Sequence, residues 1–219
     1  MAEFASDTFT GTEGDLLDAY SANWTKHTAG SVTTAEIASG RVRGTAAGGA
    51  MYYHSGSPTN ADYSVLADVY EASDPTAYSV GVVGRVDTTA VTGYMARHAR
   101  TTASSVDAWQ LYKFVAGTFT QLGSNSTDAI TTGTSAQVEL RMEGTTIALY
   151  KRGEATPTIS VTDSAVTAAG KAGIRLGYGG SNTPSDTTLY HLDNFSAATG
   201  GKAFPFRRMG ASFQHMLVR

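Results

Sequence analysis

The sequence predicts an all-β protein built as a sandwich of antiparallel sheets, and three observations predict it. More than a dozen short runs have strand character, with almost no helix signal between them. Turn signals punctuate those runs every ~8–12 residues, which is sandwich or barrel spacing. The body closes on Leu189-Tyr190-His191-Leu192-Asp193-Asn194-Phe195, an alternating segment that reads as a strand with one buried face. It would return beside an opening segment around Phe4 and Phe9 and so seal the core.

Taken in order, residues 1–25 contain Phe9, the acidic Glu13-Gly14-Asp15, Leu16-Leu17 and Trp24, with room for one helical turn over 15–20. Strands are expected at 31–37, 41–45, 50–54, 62–71, 77–86, 92–98, 107–115, 118–122, 136–143, 145–151, 157–162, 171–178 and 187–196. The most regular is 63–71, where Tyr63, Val65, Ala67 and Val69 share one face. In 138–143, Val138, Leu140 and Met142 point inward, and Glu143-Gly144-Thr145-Thr146 turns this run into Ile147-Ala148-Leu149-Tyr150 as a hairpin. The other breaks fall at Gly48-Gly49, Ser57-Pro58, Asp74-Pro75, Gly117, Gly123-Ser124-Asn125, Gly153 and Gly179-Gly180-Ser181-Asn182. No internal repeat is visible, and no shift of composition divides 1–198, so that span is one domain and 199–219 an appended arm.

Composition excludes several chemistries. With no cysteine there is no disulfide framework, zinc–thiolate site or cysteine nucleophile. Charged residues make up only 16%, while Gly reaches 24 and Pro only 5, which suits many strands joined by tight turns. No stretch approaches the ~18 apolar residues of a membrane helix. The start, Met1 to Asp7, lacks the basic and apolar regions of a secretory signal, so assembly in the cytoplasm is the expectation. Four of the 16 basic residues and none of the 19 acidic ones follow residue 199, giving a mildly acidic body with a basic tail.

The order Asp7-Thr8-Phe9-Thr10-Gly11, Trp24, Trp109-Gln110-Leu111-Tyr112-Lys113, Val138-Glu139-Leu140-Arg141-Met142-Glu143-Gly144 and Leu192-Asp193-Asn194-Phe195 resembles the concanavalin A-like lectin/glucanase jelly rolls, including the laminin G-like modules of bacterial and phage proteins. The resemblance spans 4–197. It implies a two-sheet antiparallel jelly-roll sandwich with a concave face of the kind that binds glycans, and by itself it implies no enzyme.

Glycosidases of this fold carry carboxylates spaced Glu-x-Asp-x-x-Glu or Glu-x-Asp-x-Glu on one strand, and no such segment occurs here. Glu139 and Glu143 share a face, but Arg141 stands between them, which reads as a solvated face of cross-pairing charges. Asp68 and Glu71 have opposite strand parity. There is no Gly-x-Ser-x-Gly elbow, and His27, His54, His98, His191 and His215 lack metal-ligand spacing and read as surface or half-buried sheet residues. Gly177-Tyr178-Gly179-Gly180 is not followed by a helix that could hold a phosphate. The resemblance implies a structural calcium between the first and last strands, for which Asp7 and Asp193 are the candidates; the alternative is that they cap turn amides. Sugar-stacking candidates are Tyr52, Tyr53, Tyr94, Trp109, Tyr112 and Tyr178; of the adjacent pair Tyr52 and Tyr53, one must point away from the core.

The tail carries Phe204, Phe206, Arg207, Arg208, Met209, Phe213, Met216 and Leu217, with apolar residues stepping by three and four as on one side of a helix. Such a segment needs cover, either on its own sandwich or on another chain, and docking on a neighbouring chain is the expectation. Four basic residues are too few for a nucleic-acid footprint. Together these features predict a non-catalytic structural protein of a virion, a capsid decoration or tail/fibre component, forming a homo-oligomer without nucleic acid or membrane. The alternatives are a free glycan-binding module and, after it, a diverged glycosidase.

Overall fold

The computed structural model describes residues 2–73, 77–100, 106–151, 153–179 and 184–200. The first strands are β1 (Ala2–Asp7), β2 (Trp24–Lys26), β3 (Ala35–Ala38), β4 (Arg41–Gly44) and β5 (Gly48–His54). Next come β6 (Tyr63–Glu71), β7 (Tyr78–Val86), β8 (Gly93–Arg100), β9 (Ala108–Val115) and β10 (Thr118–Thr127). The last five are β11 (Ser135–Glu143), β12 (Thr146–Lys151), β13 (Ile159–Thr162), β14 (Lys171–Tyr178) and β15 (Tyr190–Thr199). Helix among the described residues is limited to α1 (Leu17–Tyr20) and a 3-10 turn at Thr28–Gly30.

The strands form two antiparallel sheets. An eight-stranded sheet runs β13-β12-β11-β6-β15-β4-β3, with β1 also paired to β15. A seven-stranded sheet runs β10-β9-β8-β7-β14-β5-β2. The first strand lies beside the last, with Asp7 opposite Phe195 and Ser6 opposite Ser196, so the ends of the body close the eight-stranded sheet together. Strand β15 shares its edge between β1 and β4, which it meets at Leu192 and Val42.

Strand alternation fixes what lies between the sheets. Tyr63, Val65, Ala67 and Val69 are fully buried, as are Val138, Leu140 and Met142 opposite them on β11. The facing sheet contributes Val80 and Val82, Ala96, Leu111, Ile174 and Leu176. Burying each large aliphatic side chain contributes about 1.5–3 kcal/mol before ordering costs.

Several local expectations are corrected. The Gly123-Ser124-Asn125 signal is a bulge inside β10, not the end of a strand: the register with β9 shifts between Leu122 and Ser126, and Gly123 takes φ 69°. The strand expected over 31–37 is β3, starting at Ala35, and Trp24 opens a strand of three residues on the edge of the seven-stranded sheet. Glu139 is not on a solvated face. It is 3% exposed, and its carboxylate accepts from Arg141 Nε at 3.0 Å and Nη2 at 2.9 Å while Arg141 lies over the Tyr150 ring.

The histidines are likewise buried rather than superficial: His27, His54, His98 and His191 are between 0% and 6% exposed. His27 Nδ1 accepts from Gly30 N and thereby caps the 3-10 turn. His191 Nε2 donates to the Ser185 and Thr188 carbonyls. Like His215, the tail residues Phe204, Phe206, Arg207, Arg208, Met209, Phe213, Met216 and Leu217 lie outside the described residues.

Candidate functional site on the outward face of the seven-stranded sheet

Successive residues of a strand point to opposite faces, so the core-facing set defines the outward set. On β8, Tyr94 and Ala96 belong to the core between the sheets, which turns Met95, Arg97 and Ala99 to the other face, where Met95 and Ala99 are nonetheless 0% and 1% exposed. On β14, Ile174 and Leu176 face the core and Gly173, Arg175 and Gly177 face away. On β9, Trp109 and Leu111 face in and Gln110, Tyr112 and Phe114 face out.

Pairing lines these outward residues up in rows across the sheet. One row reads Met51, Arg175, Gly81, Arg97, Gln110. A neighbouring row reads Tyr53, Gly173, Val83, Met95, Tyr112, Gln121. On the other side lie Gly49, Gly177, Ser79, Ala99 and Ala108. No Asp or Glu stands in these three rows. Met51, Val83, Met95 and Phe114 form a small apolar cluster on this face, with Tyr112 packed against it.

The face is concave. Phe119 on β10 lies four strands from Arg175 on β14, about 19 Å in a flat sheet. Yet the Arg175 guanidinium carbon is 4.9 Å from the centre of the Phe119 ring. The sheet must curl to bring them together, which raises its edge strand as one wall of a trough.

Arg97 is held on three sides. Its Nε donates to Gln110 Oε1 at 2.8 Å, its Nη1 donates to Ser79 Oγ at 2.8 Å, and its guanidinium carbon sits 4.0 Å from the centre of the Tyr112 ring. Arg175 has the Phe119 ring but no hydrogen bond or ion pair among the described residues, and its Nε is buried without a partner. Burial pushes the Arg175 guanidinium down to about 10, and the Arg97 charge adds to that shift. Burial also lowers Arg97 from its ordinary value. Both remain cations at neutral pH.

Glycine makes room for neighbouring groups around them. A Cβ at Gly49 would lie 2.8 Å from Arg175 Nη2. A Cβ at Gly81, between the two arginines, would lie 2.1 Å from the Ala96 carbonyl oxygen and 2.6 Å from Arg97 Cα, so this position accepts no side chain.

Two of the six aromatics expected to stack on sugars, Tyr53 and Tyr112, stand on this face in one row. The other four do not. Tyr52, Tyr94, Trp109 and Tyr178 are 0–3% exposed and pack between the sheets, because their strand parity is that of the core. They are excluded as surface platforms. Their polar atoms serve the interior: Tyr178 OH donates to the Tyr190 carbonyl, and Tyr94 OH donates to Asp163 Oδ1 at 2.7 Å. Phe119, Arg97 and Arg175 were not among the expected site residues. The readable signal was an arginine of outward parity in the middle of an otherwise apolar strand, as in Ala172-Gly173-Ile174-Arg175-Leu176.

Asp7 ends β1, and Asp193 lies within β15 just before its register shift against β6. The Asp7 carboxylate accepts from Phe9 N at 2.7 Å and Tyr20 OH at 2.9 Å through Oδ1, and from Trp24 Nε1 at 2.7 Å through Oδ2. Asp193 Oδ1 accepts from Asn194 N at 2.7 Å, and burial raises its carboxyl, with Asp68 adding to the shift. No third acid or histidine joins them as a metal-ligand cluster among the described residues.

Comparison of the sequence with protein-family models and with curated proteins finds no match. Solved structures do match the fold. The carbohydrate-binding module CBM66 from Bacillus subtilis superposes with a TM-score of 0.62 at 18% identity, over 81% of this chain and 96% of that one. A glycosyl hydrolase family protein from Mycobacterium fortuitum gives 0.60 at 12% identity, over 90% and 100%. LamA from Z. galactanivorans, in complex with laminaritriose and laminaritetraose, gives 0.57 at 10% identity, over 90% and 98%. At these identities the likeness establishes the fold alone: a two-sheet antiparallel jelly-roll sandwich.

Proposed function

We propose that the chain is a non-catalytic glycan-binding module whose site is the concave face of the seven-stranded sheet. The observation that carries the reading is the outward composition of that face. Tyr53 and Tyr112 offer aromatic rings, Tyr112 with Arg97 over one face, while Gln110, Ser79 and Arg97 supply hydrogen-bonding groups beside them; Phe119 is already taken up by Phe114 and Arg175. Ring faces with polar groups around them are what a sugar site needs. The absence of Asp and Glu from the three rows supports binding over hydrolysis, which needs two carboxylates flanking the bond. On the other sheet, Glu139 is already engaged by Arg141.

The test is a pull-down with insoluble polysaccharides, run beside a reducing-sugar assay on soluble ones. Retention without sugar release supports the reading, and release that is lost in Glu139→Gln favours the diverged glycosidase instead. Assembly into a virion would rest on residues 204–217, outside the described residues, whereas the solved structures named above include a carbohydrate-binding module and a glycosyl hydrolase family protein.

A further inference from the structure

We propose that the trough selects an acidic glycan, with Arg175 and Arg97 as the paired cradle for a sugar-borne carboxylate or sulfate. This rests on the glycan-binding reading and adds the chemical class of the ligand.

The charge pattern is the first support. Arg43, Arg85, Arg100, Arg141, Lys113 and Lys151 each meet a carboxylate. Arg97 and Arg175 meet none among the described residues, although they flank Gly81 in one row and raise each other's electrostatic cost. Arg41 and Lys171 also lack a carboxylate ion pair, lying over the Tyr70 ring and against the Ser55 carbonyl, but Arg97 and Arg175 are set together in one row on a concave surface. An oxyanion between them would relieve both the repulsion and the desolvation.

Geometry is the second support. A guanidinium stacked on a ring presents its N–H edge, the edge that forms paired hydrogen bonds with carboxylate and sulfate oxygens. Tyr112 holds the plane of Arg97 and Phe119 lies against Arg175. Arg175 Nε–H is buried without an acceptor, a donor that costs stability until something accepts from it. Gly49 makes room for the Arg175 guanidinium, and Gly81 puts no side chain between the two cations. The whole chain has a net charge of −3, so attraction of an anion here is local to the trough.

The experiment titrates the full chain with matched acidic and neutral sugars: oligogalacturonate against its methyl ester, and a sulfated galactan oligomer against its desulfated form. Calorimetry reads affinity, and NMR of ¹⁵N-labelled protein reads the arginine Nε–H signals. The expected result is at least about tenfold tighter binding of an acidic member than of its neutral twin, with saturable movement of the Arg175 Nε–H signal. Arg175→Gln and Arg97→Gln should bring acidic binding down to the neutral level. Arg175→Lys, which keeps the charge and loses the planar fork, should also weaken it. Circular dichroism and unfolding midpoints would certify that the variants fold. The carboxylated and sulfated arms identify which anion is preferred. Equal binding of acidic and neutral twins overturns the proposal while leaving glycan binding intact, as does acidic binding that survives Arg175→Gln. No binding by any member overturns both.

Discussion

Tyr78 and Tyr190 stack face to face across the sandwich, with ring centres 3.9 Å apart and planes 15° from parallel. One belongs to the seven-stranded sheet and the other to the eight-stranded sheet, so the pair bolts the layers together where their hydroxyls meet buried acids. Tyr78 OH donates to Asp107 Oδ1 at 2.6 Å and Tyr190 OH donates to Glu71 Oε2. Glu71 is 4% exposed, and its other oxygen accepts from Thr132 Oγ1 at 2.7 Å. Tyr190→Phe keeps the stack and strips Glu71 of one donor. It should cost about 1–3 kcal/mol of stability, the penalty for leaving a buried acceptor unmade. Urea unfolding of the two proteins measures it, and an unchanged midpoint would remove Glu71 from the account.

Acid should destabilise the fold above the range in which carboxylates titrate. Burial lowers His54, His98 and His191 below their ordinary value. His191 Nδ1 has no acceptor for an added proton among the described residues, and a proton added to His54 Nδ1 would displace the hydrogen bond that this nitrogen accepts from Gly56 N. The unfolded chain therefore binds more protons as pH falls through about 6.5. Stability should be flat above neutrality and fall toward pH ~5, by up to about 1.4 kcal/mol per pH unit for each histidine. Unfolding free energies from pH 8 to pH 5 check this, and His191→Gln should flatten the slope.

The two glycines beside the arginines should behave differently. Ala at position 81 would press on the backbone of β8, whereas Ala at position 49 would meet the movable end of Arg175. Gly81→Ala should cost about 1–3 kcal/mol, the usual penalty of overpacking. Gly49→Ala should leave the unfolding midpoint nearly unchanged and displace the guanidinium. Equal effects from the two substitutions would show that the trough floor is not held as described.

Leu140→Ala should cost about 2–5 kcal/mol, because Leu140 lies in the middle of β11 and is fully buried between the sheets. Thermal unfolding would register this as a clear drop in midpoint.

Much of the fold was legible because it rests on parity. Tyr63, Val65, Ala67 and Val69 could not all be inward unless 63–71 were a strand, and they are all inward. The return of 190–199 beside the first strand followed from the same alternation. The strand at Trp24 was not legible: three residues are too few to show a period, and pairing with β5 supplies what propensity does not. Adjacent Tyr52 and Tyr53 showed that one points out, but two tyrosines look alike in the sequence, and only the register of β5 against β14 decides for Tyr53. The site arginines escaped notice for a physical reason. A lone cation in a strand reads as solvated, and Arg97 and Arg175, 78 positions apart in the sequence, become neighbours only through the pairing of β7 with both β8 and β14.

The central claim is that the concave face of the seven-stranded sheet binds sugar, and mapping a bound oligosaccharide onto single-residue variants tests it most directly. Tyr70 is the control, an outward tyrosine on the eight-stranded sheet that lies beneath Arg41. The ligand is taken from whichever polysaccharide retains the protein, and calorimetry measures binding to wild type, Tyr53→Ala, Tyr112→Ala and Tyr70→Ala. The account predicts that Tyr112→Ala and Tyr53→Ala each lower affinity by about tenfold or more, the loss of a stacked ring, while Tyr70→Ala binds as wild type does. Loss of binding in Tyr70→Ala with Tyr53→Ala and Tyr112→Ala unaffected would contradict it and move the site to the opposite face.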